Sequence, residues 1–336
     1  MSYTPSEMFG VCAMVPSFGT PDAREMTATS TINVDALQDG LDRGIKDGMN
    51  FYATMGTFGQ CWNLLWDEFK TMVTASNEAV NNRVPLFHGV TSSNPREVVQ
   101  KMKFVRDNGG QGVLLGLPYY DSLPTRDIPT FYRNIAELFP DLSIMIYSNP
   151  ENHRVLIPVA AFRELVKNLN IICLKDSHRS ANEVQRLHDI IHGKISHMCN
   201  EGQLYPYMMM GCADGFWCHR LWSGPWPVLA YRDAAEEGDW DRVRAIGREL
   251  SGNGDSGDSR GLGEMDRSRY GNYTTHYFAG YVNIGPPRPP FSFHIQDPVE
   301  DAKAQERAKR GAERWQVLCE KYRPEVEARR AATAAV

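Results

Sequence analysis

The 336 residues contain seven cysteines, at 12, 61, 173, 199, 212, 218 and 319, and no two form a CxxC pair. That spacing excludes ribbon-type zinc sites and thioredoxin-like redox motifs. Several of the thiols sit in apolar runs, where cysteine behaves as a small hydrophobe. Positive charge is not in excess: 36 Lys and Arg face 41 Asp and Glu, a net charge of -5, so no nucleic-acid partner is expected. No apolar run approaches the roughly 18 residues of a membrane span, and no membrane partner is expected. Residues 1–10 lack the charged-then-apolar order of an export signal, and reduced thiols fit a cytoplasmic location. No GxGxxG follows the first expected strand, and no GxSxG marks a hydrolase elbow. His188 and His192 stand four apart on an expected helix, short of the three or so protein ligands of a catalytic metal site, so no metal is expected.

What remains is an ordinary globular composition, 42% apolar and 23% charged, arranged with unusual regularity. Short apolar strands at 10–16, 49–54, 84–90, 112–117, 142–147, 171–175, 194–199 and 213–218 alternate with helical spacings at 34–47, 64–81, 94–108, 127–138, 158–166, 181–191, 204–210 and 227–237. Alternation of this kind predicts right-handed βαβ units and a parallel sheet. The count predicts an α/β fold, a (β/α)8 TIM barrel, over residues 1–238; a doubly wound sheet is the competitor. Residues 239–336 break the pattern and read as a C-terminal helical extension, with helices at 240–250, 265–281 and 299–322. A Gly/Ser/Asp-rich connector covers 251–263, and the Gly-Pro-Pro-Arg-Pro-Pro run at 285–290 predicts a stiff extended strap.

The stretch Ile171-Ile172-Cys173-Leu174-Lys175-Asp176 organises the chemistry. Its apolar run predicts a strand buried on both faces, ending on an ammonium. Such a charge must be paired, neutral or chemically used, and a buried lysine readily becomes an amine nucleophile for carbonyl groups. Alone, the run is better explained by a lysine paired with Asp176 or turned to solvent. In a barrel, however, the C-terminal strand ends share one rim. That rim would gather Gly56, Thr57, Tyr119, Tyr120, Tyr147, Lys175 and Trp217, a plausible site for a carbonyl guest. An amine condensed with a ketone withdraws electrons from the neighbouring carbon. A phenol such as Tyr147 could take the proton of a β-hydroxyl, and the N–H groups of Gly56-Thr57-Phe58 could hold a carboxylate.

Gly56-Thr57-Phe58-Gly59, Pro118-Tyr119-Tyr120, Ile146-Tyr147-Ser148-Asn149-Pro150 and Leu174-Lys175-Asp176 resemble, in order and spacing, successive motifs of the dihydrodipicolinate synthase / N-acetylneuraminate lyase family. The resemblance spans roughly residues 8–250. It implies a covalent pyruvate Schiff base on Lys175, with no other cofactor, in a barrel that usually forms a homotetramer. It makes Tyr147 the proton-transfer phenol and Gly56-Thr57 the carboxylate loop. Thr57 and Tyr119 or Tyr120 would complete a proton relay, in some members across a subunit interface. Phe58 and Gln60 stand where many members have a hydroxyl and an acid, and an arginine comes only at Arg154. With Gly215-Phe216-Trp217 and the proline-rich strap, these features look like the aromatic hydratase-aldolases, which cleave trans-o-substituted benzylidenepyruvates to an aromatic aldehyde and pyruvate. That branch implies Trp217 beside the alkene or ring and Asn283 near the water or hydroxyl. Two cationic pairs, His178-Arg179 and His219-Arg220, are expected at the rim and favour a 2'-carboxy ring substituent over a 2'-hydroxy one. A sugar-acid lyase and a keto-acid-binding barrel without turnover are the rivals. Gln60 and Trp62 motivate the second of these.

Overall fold

The computed structural model describes residues 3–177, 179–252, 275–290, 292 and 297–334. Eight parallel strands close into a barrel in sequence order: β1 (Gly10–Met14), β2 (Phe51–Thr54), β3 (Leu86–Gly89), β4 (Gly112–Gly116), β5 (Ser143–Ser148), β6 (Ile171–Asp176), β7 (Ser196–Asn200) and β8 (Gly215–Cys218). β1 closes the ring by pairing with both β2 and β8. Between the strands run α1 (Val34–Asp47), α2 (Trp66–Val80), α3 (Pro95–Asp107), α4 (Ile128–Leu138), α5 (Pro150–His153), α6 (Phe162–Leu165), α7 (Ala181–Ile191) and α8 (Leu204–Met209). The expected (β/α)8 barrel is therefore the observed one. Its interior is a continuous apolar cluster including Cys12, Met14, Phe51, Ala53, Phe87, Leu114, Met145, Cys173 and Met198.

Helix ends follow local chemistry. Asn33 caps α1 by accepting the N–H of Ala36, and Gly48 closes it in the left-handed region at φ 100°. Ser180 and Glu183 form a capping box at the start of α7. The 158–166 segment is shorter than its spacing predicts, a 3₁₀ turn followed by the single-turn α6.

Cα proximity separates two compact units. One holds all eight strands with α3 to α8. The other gathers α1, nearly all of α2, α9 (Trp226–Glu236), α10 (Trp240–Gly252) and a C-terminal helix (Pro298–Ala334). Within this second unit α9 packs on both α10 and the C-terminal helix. Most of the 251–263 connector and of the 265–281 helix lies outside the described residues, although 275–279 are helical. The C-terminal helix runs beyond Tyr322, through Pro324. Proline normally ends a helix, but buried Val326 and the contacts of Arg329 with Glu236 and Glu237 hold the last turns in place. Among the described residues, no helix is long and apolar enough to cross a membrane.

The proline-rich strap is fastened within the same unit. The buried Arg288 guanidinium donates to Thr31 Oγ1 and Ser17 Oγ at 2.6 Å and to the Thr31 carbonyl at 2.7 Å, with Glu68 at 3.8 Å. The strap crosses the backbone at Gly19, whose N–H donates to the Ile284 carbonyl at 2.8 Å. A Cβ on Gly285 (φ 67°) would lie 1.8 Å from the Gly19 carbonyl oxygen. Arg288→Ala would leave Glu68 and two hydroxyls buried without their cation. A loss of about 3 kcal/mol is expected in urea unfolding monitored by circular dichroism.

Candidate active site

Alternation along β6 sends Cys173 and Lys175 into the barrel and Asp176 out of it. Lys175 is 2% exposed, and its Nζ lies 3.6 Å from the centre of the Trp217 ring and 4.1 Å from that of Tyr147. Two effects compete at this amine. The ring faces favour an ammonium, whereas burial favours the neutral form. Burial prevails: it lowers Lys175 from 10.5 to about 7, with Cys12 and Asp176 pulling the other way. An amine poised there is a nucleophile near neutral pH.

Trp217 is fixed by its Nε1–H, which donates to the main-chain carbonyl of Asp176 at 2.9 Å. Phe58 and Trp217, both partly buried, pack on the barrel core. The Tyr147 hydroxyl is 2.8 Å from Thr57 Oγ1 and accepts from Asn149 Nδ2 at 2.9 Å. Burial raises the Tyr147 phenol, and the contacts with Thr57 and Asn149 oppose that rise. Because an amide nitrogen can only donate, the phenolic proton is left to Thr57 or to a guest.

The Thr57 loop is a closed turn. The N–H groups of Gln60 and Cys61 donate to the carbonyls of Thr57 and Gly56 at 3.0 and 3.2 Å. Met55 and Gln60 adopt positive φ, 48° and 53°. A Cβ at Gly59 would stand 2.7 Å from the Met55 nitrogen, so the turn tolerates only glycine there.

Asn149 lies two residues after Tyr147, within the strand-end motif, with no role expected of it. His153 is a further member of the site that no motif marks. His153 is buried edge-on to Tyr147, ring centres 5.2 Å apart. Burial, aided by the Lys175 charge, lowers it to about 4, so it is neutral at physiological pH. Gly116 makes room for it, since a Cβ there would come 2.4 Å from His153 Cε1.

The other expected residues lie in varied surroundings. Arg179 is not a rim cation. Its side chain is buried, Nε pairs with Asp176 Oδ2, and Nη2 donates to the Ile157 carbonyl at 2.9 Å. Three residues past the strand end, the chain has already turned back to bring Arg179 to Asp176. His178 lies outside the described residues. Tyr120 is 82% exposed, and its carbonyl accepts from Arg154. Tyr119 is half-buried, and burial raises its phenol. In the second unit, Arg220 donates to the Leu250 carbonyl at 2.8 Å and lies over Trp315. His219 Nδ1 is 3.4 Å from His276 Nε2. Asn283 is exposed, with its Oδ1 3.4 Å from the Gly285 nitrogen. His188 and His192 stand with ring centres 4.6 Å apart, and no group of three metal-ligating side chains occurs among the described residues.

The profile of the dihydrodipicolinate synthetase family matches residues 21–251. The chain belongs to that family. It is 28% identical over 338 residues to a trans-o-hydroxybenzylidenepyruvate hydratase-aldolase of Pseudomonas aeruginosa, covering 96% of both chains. It is 23% identical over 252 residues to a trans-2'-carboxybenzalpyruvate hydratase-aldolase of Nocardioides sp. (strain KP7), covering 74% of this chain and 76% of that one. Among solved structures it is similar to PhdJ bound to a substrate intermediate, with a TM-score of 0.86 and 24% identity over 96% of this chain and 99% of the other. At that identity the likeness speaks for the fold.

The folded amine keeps its proton only up to about 7, the unfolded one up to 10.5, so stability rises with pH between those values. Below that window the buried ammonium costs the folded state its full penalty. Lys175→Met is expected to raise stability by roughly 2–5 kcal/mol at and below neutral pH, with the gain fading as pH rises. Thermal melts across pH check this, and an unchanged melting temperature at neutral pH would contradict it.

Proposed function

We propose that the chain is a hydratase-aldolase that cleaves a trans-o-substituted benzylidenepyruvate to an aromatic aldehyde and pyruvate through an imine on Lys175. Family membership and the named relatives make it a carbon–carbon lyase of the aldolase class. The observation that carries the reading is a neutral-range amine between an indole face and a phenol already bonded to Thr57 and Asn149.

The steps follow from that placement. Lys175 Nζ attacks the keto carbon and water leaves, giving an iminium conjugated with the alkene. Water adds at the benzylic carbon and the adjacent carbon gains a proton. Tyr147 then takes the proton of the new hydroxyl, the bond between those two carbons breaks, and the aldehyde departs from an enamine. Protonation and hydrolysis of the enamine release pyruvate and restore the amine. The turn at Gly56-Thr57-Phe58 holds the guest carboxylate, and Trp217 with Phe58 offers flat apolar surface to its ring. Lys175 supplies the electron sink, so the reaction calls for no further cofactor.

For the ring we place the 2'-hydroxy substituent ahead of the 2'-carboxy one. Arg179 is consumed by Asp176, and Arg220 by Leu250 and Trp315, which removes the main argument for a carboxylate. The relatives named for the hydroxy compound also match more of the chain. The proposal includes a homo-oligomer, in which exposed Tyr120 is available to a second copy.

Borohydride reduction in the presence of pyruvate is expected to leave an adduct on Lys175 that is absent from Lys175→Ala; a folded protein that gives none rules the mechanism out. Tyr147→Phe should still form the adduct while slowing cleavage by about 10²–10⁴-fold. Turnover of the two ring-substituted substrates should favour the hydroxy compound in kcat/KM, and the reverse order would restore the carboxylate reading.

A further inference from the structure

The side chain next to the lysine faces away from the guest yet is tied to it twice. The main-chain carbonyl of Asp176 holds the Trp217 indole, whose face lies 3.6 Å from Lys175 Nζ. Its carboxylate, on the outer side of β6, is sealed in a charged cluster. Arg179 pairs with Oδ2, and His197 on β7 presents Nε2 to the same oxygen at 3.6 Å. The cluster is itself tied down: His197 Nδ1 lies 2.8 Å from the Cys212 carbonyl, Arg179 donates to Ile157, and the Tyr207 hydroxyl donates to the Arg179 carbonyl at 2.7 Å. The side chains of Asp176, Arg179 and His197 are 3%, 0% and 2% exposed, so water does little to screen them.

A buried ion pair of this kind adds little net stability over an apolar replacement, which makes its position beside the amine informative. We propose that Asp176 is a positioning residue for the Lys175 reaction: its carbonyl sets the indole over the amine, and its carboxylate, clamped by Arg179 and His197, fixes the end of β6 and places one negative charge behind it. This rests on Lys175 forming the imine. Burial would raise the Asp176 carboxyl, but His197 and Arg179 bring it below the ordinary value, so the charge persists across the working pH range. Among the described residues, the other titratable groups set against the amine are Cys12 from β1, Tyr147 from β5 and His153 from α5. Cys12 is pushed up to about 12, Tyr147 is raised and His153 is lowered to about 4, so all three are neutral near pH 7. Asp176 is the anion among them.

The test is the pH dependence of pyruvate trapping by borohydride in the full-length protein. Asp176→Asn removes the anion and leaves Arg179, which disfavours the ammonium. The acid limb should move down by about one pH unit, with the near-ultraviolet circular dichroism of the wild type. A merely structural role predicts the opposite, because a loosened, hydrated lysine returns toward its ordinary basicity and the limb moves up. An upward shift or none overturns the proposal. Should the asparagine variant not fold, Asp176→Glu carries the test, since it keeps the charge and displaces the carboxylate from its clamps. Its limb should stay in place while kcat falls about tenfold at unchanged KM, and a wild-type kcat overturns the proposal. A wild-type protein that gives no adduct removes the Schiff-base reading itself, an outcome distinct from a trapped wild type with indifferent variants.

Discussion

The exclusion of water from the Lys175 amine is the condition on which the candidate site depends. Water is kept out by the barrel core below, where Cys12, Met14, Leu114, Met145 and Cys173 meet, and by the two aromatic faces at its sides. The same burial that makes the amine nucleophilic penalises its charged form, so reactivity and folding stability oppose one another at a single atom. The barrel can carry this because the core beneath the amine is apolar. The polar groups close to the amine are arranged so that few carry charge: His153 is neutral, Tyr147 is protonated, and the nearby anion is on the far side of the strand.

Much of the fold was legible because a (β/α)8 barrel writes itself in repeats. Each strand is a short apolar run, each helix has a periodic face, and the reactive residues recur at strand ends, where Tyr147 and Lys175 were found. The site was less legible where contacts are made by residues off the strands. His153 sits on a single turn after Pro150 and depends on the missing side chain of Gly116, a relation between distant residues that no local pattern carries. Arg179 misled because a cation near a reactive lysine reads as a substrate ligand, and only the turn after β6 reveals that it faces Asp176. The end of the C-terminal helix was hidden for a related reason. Pro324 is a local stop signal, and the partners that outweigh it, Glu236 and Glu237, are remote in sequence.

The crossing of the proline-rich strap over residue 19 has a consequence for how this chain can vary. Gly19 and Gly285 meet backbone to backbone, and a methyl group on either would overlap a carbonyl oxygen of the other segment. Three residues later, Arg288 must reach Ser17 and Thr31. The interval from 285 to 288 therefore works as a ruler. A single insertion or deletion within it would set the guanidinium and the glycine out of step. Selection at this place therefore weighs length as well as composition, and related chains should agree in the count of residues between the glycine and the arginine.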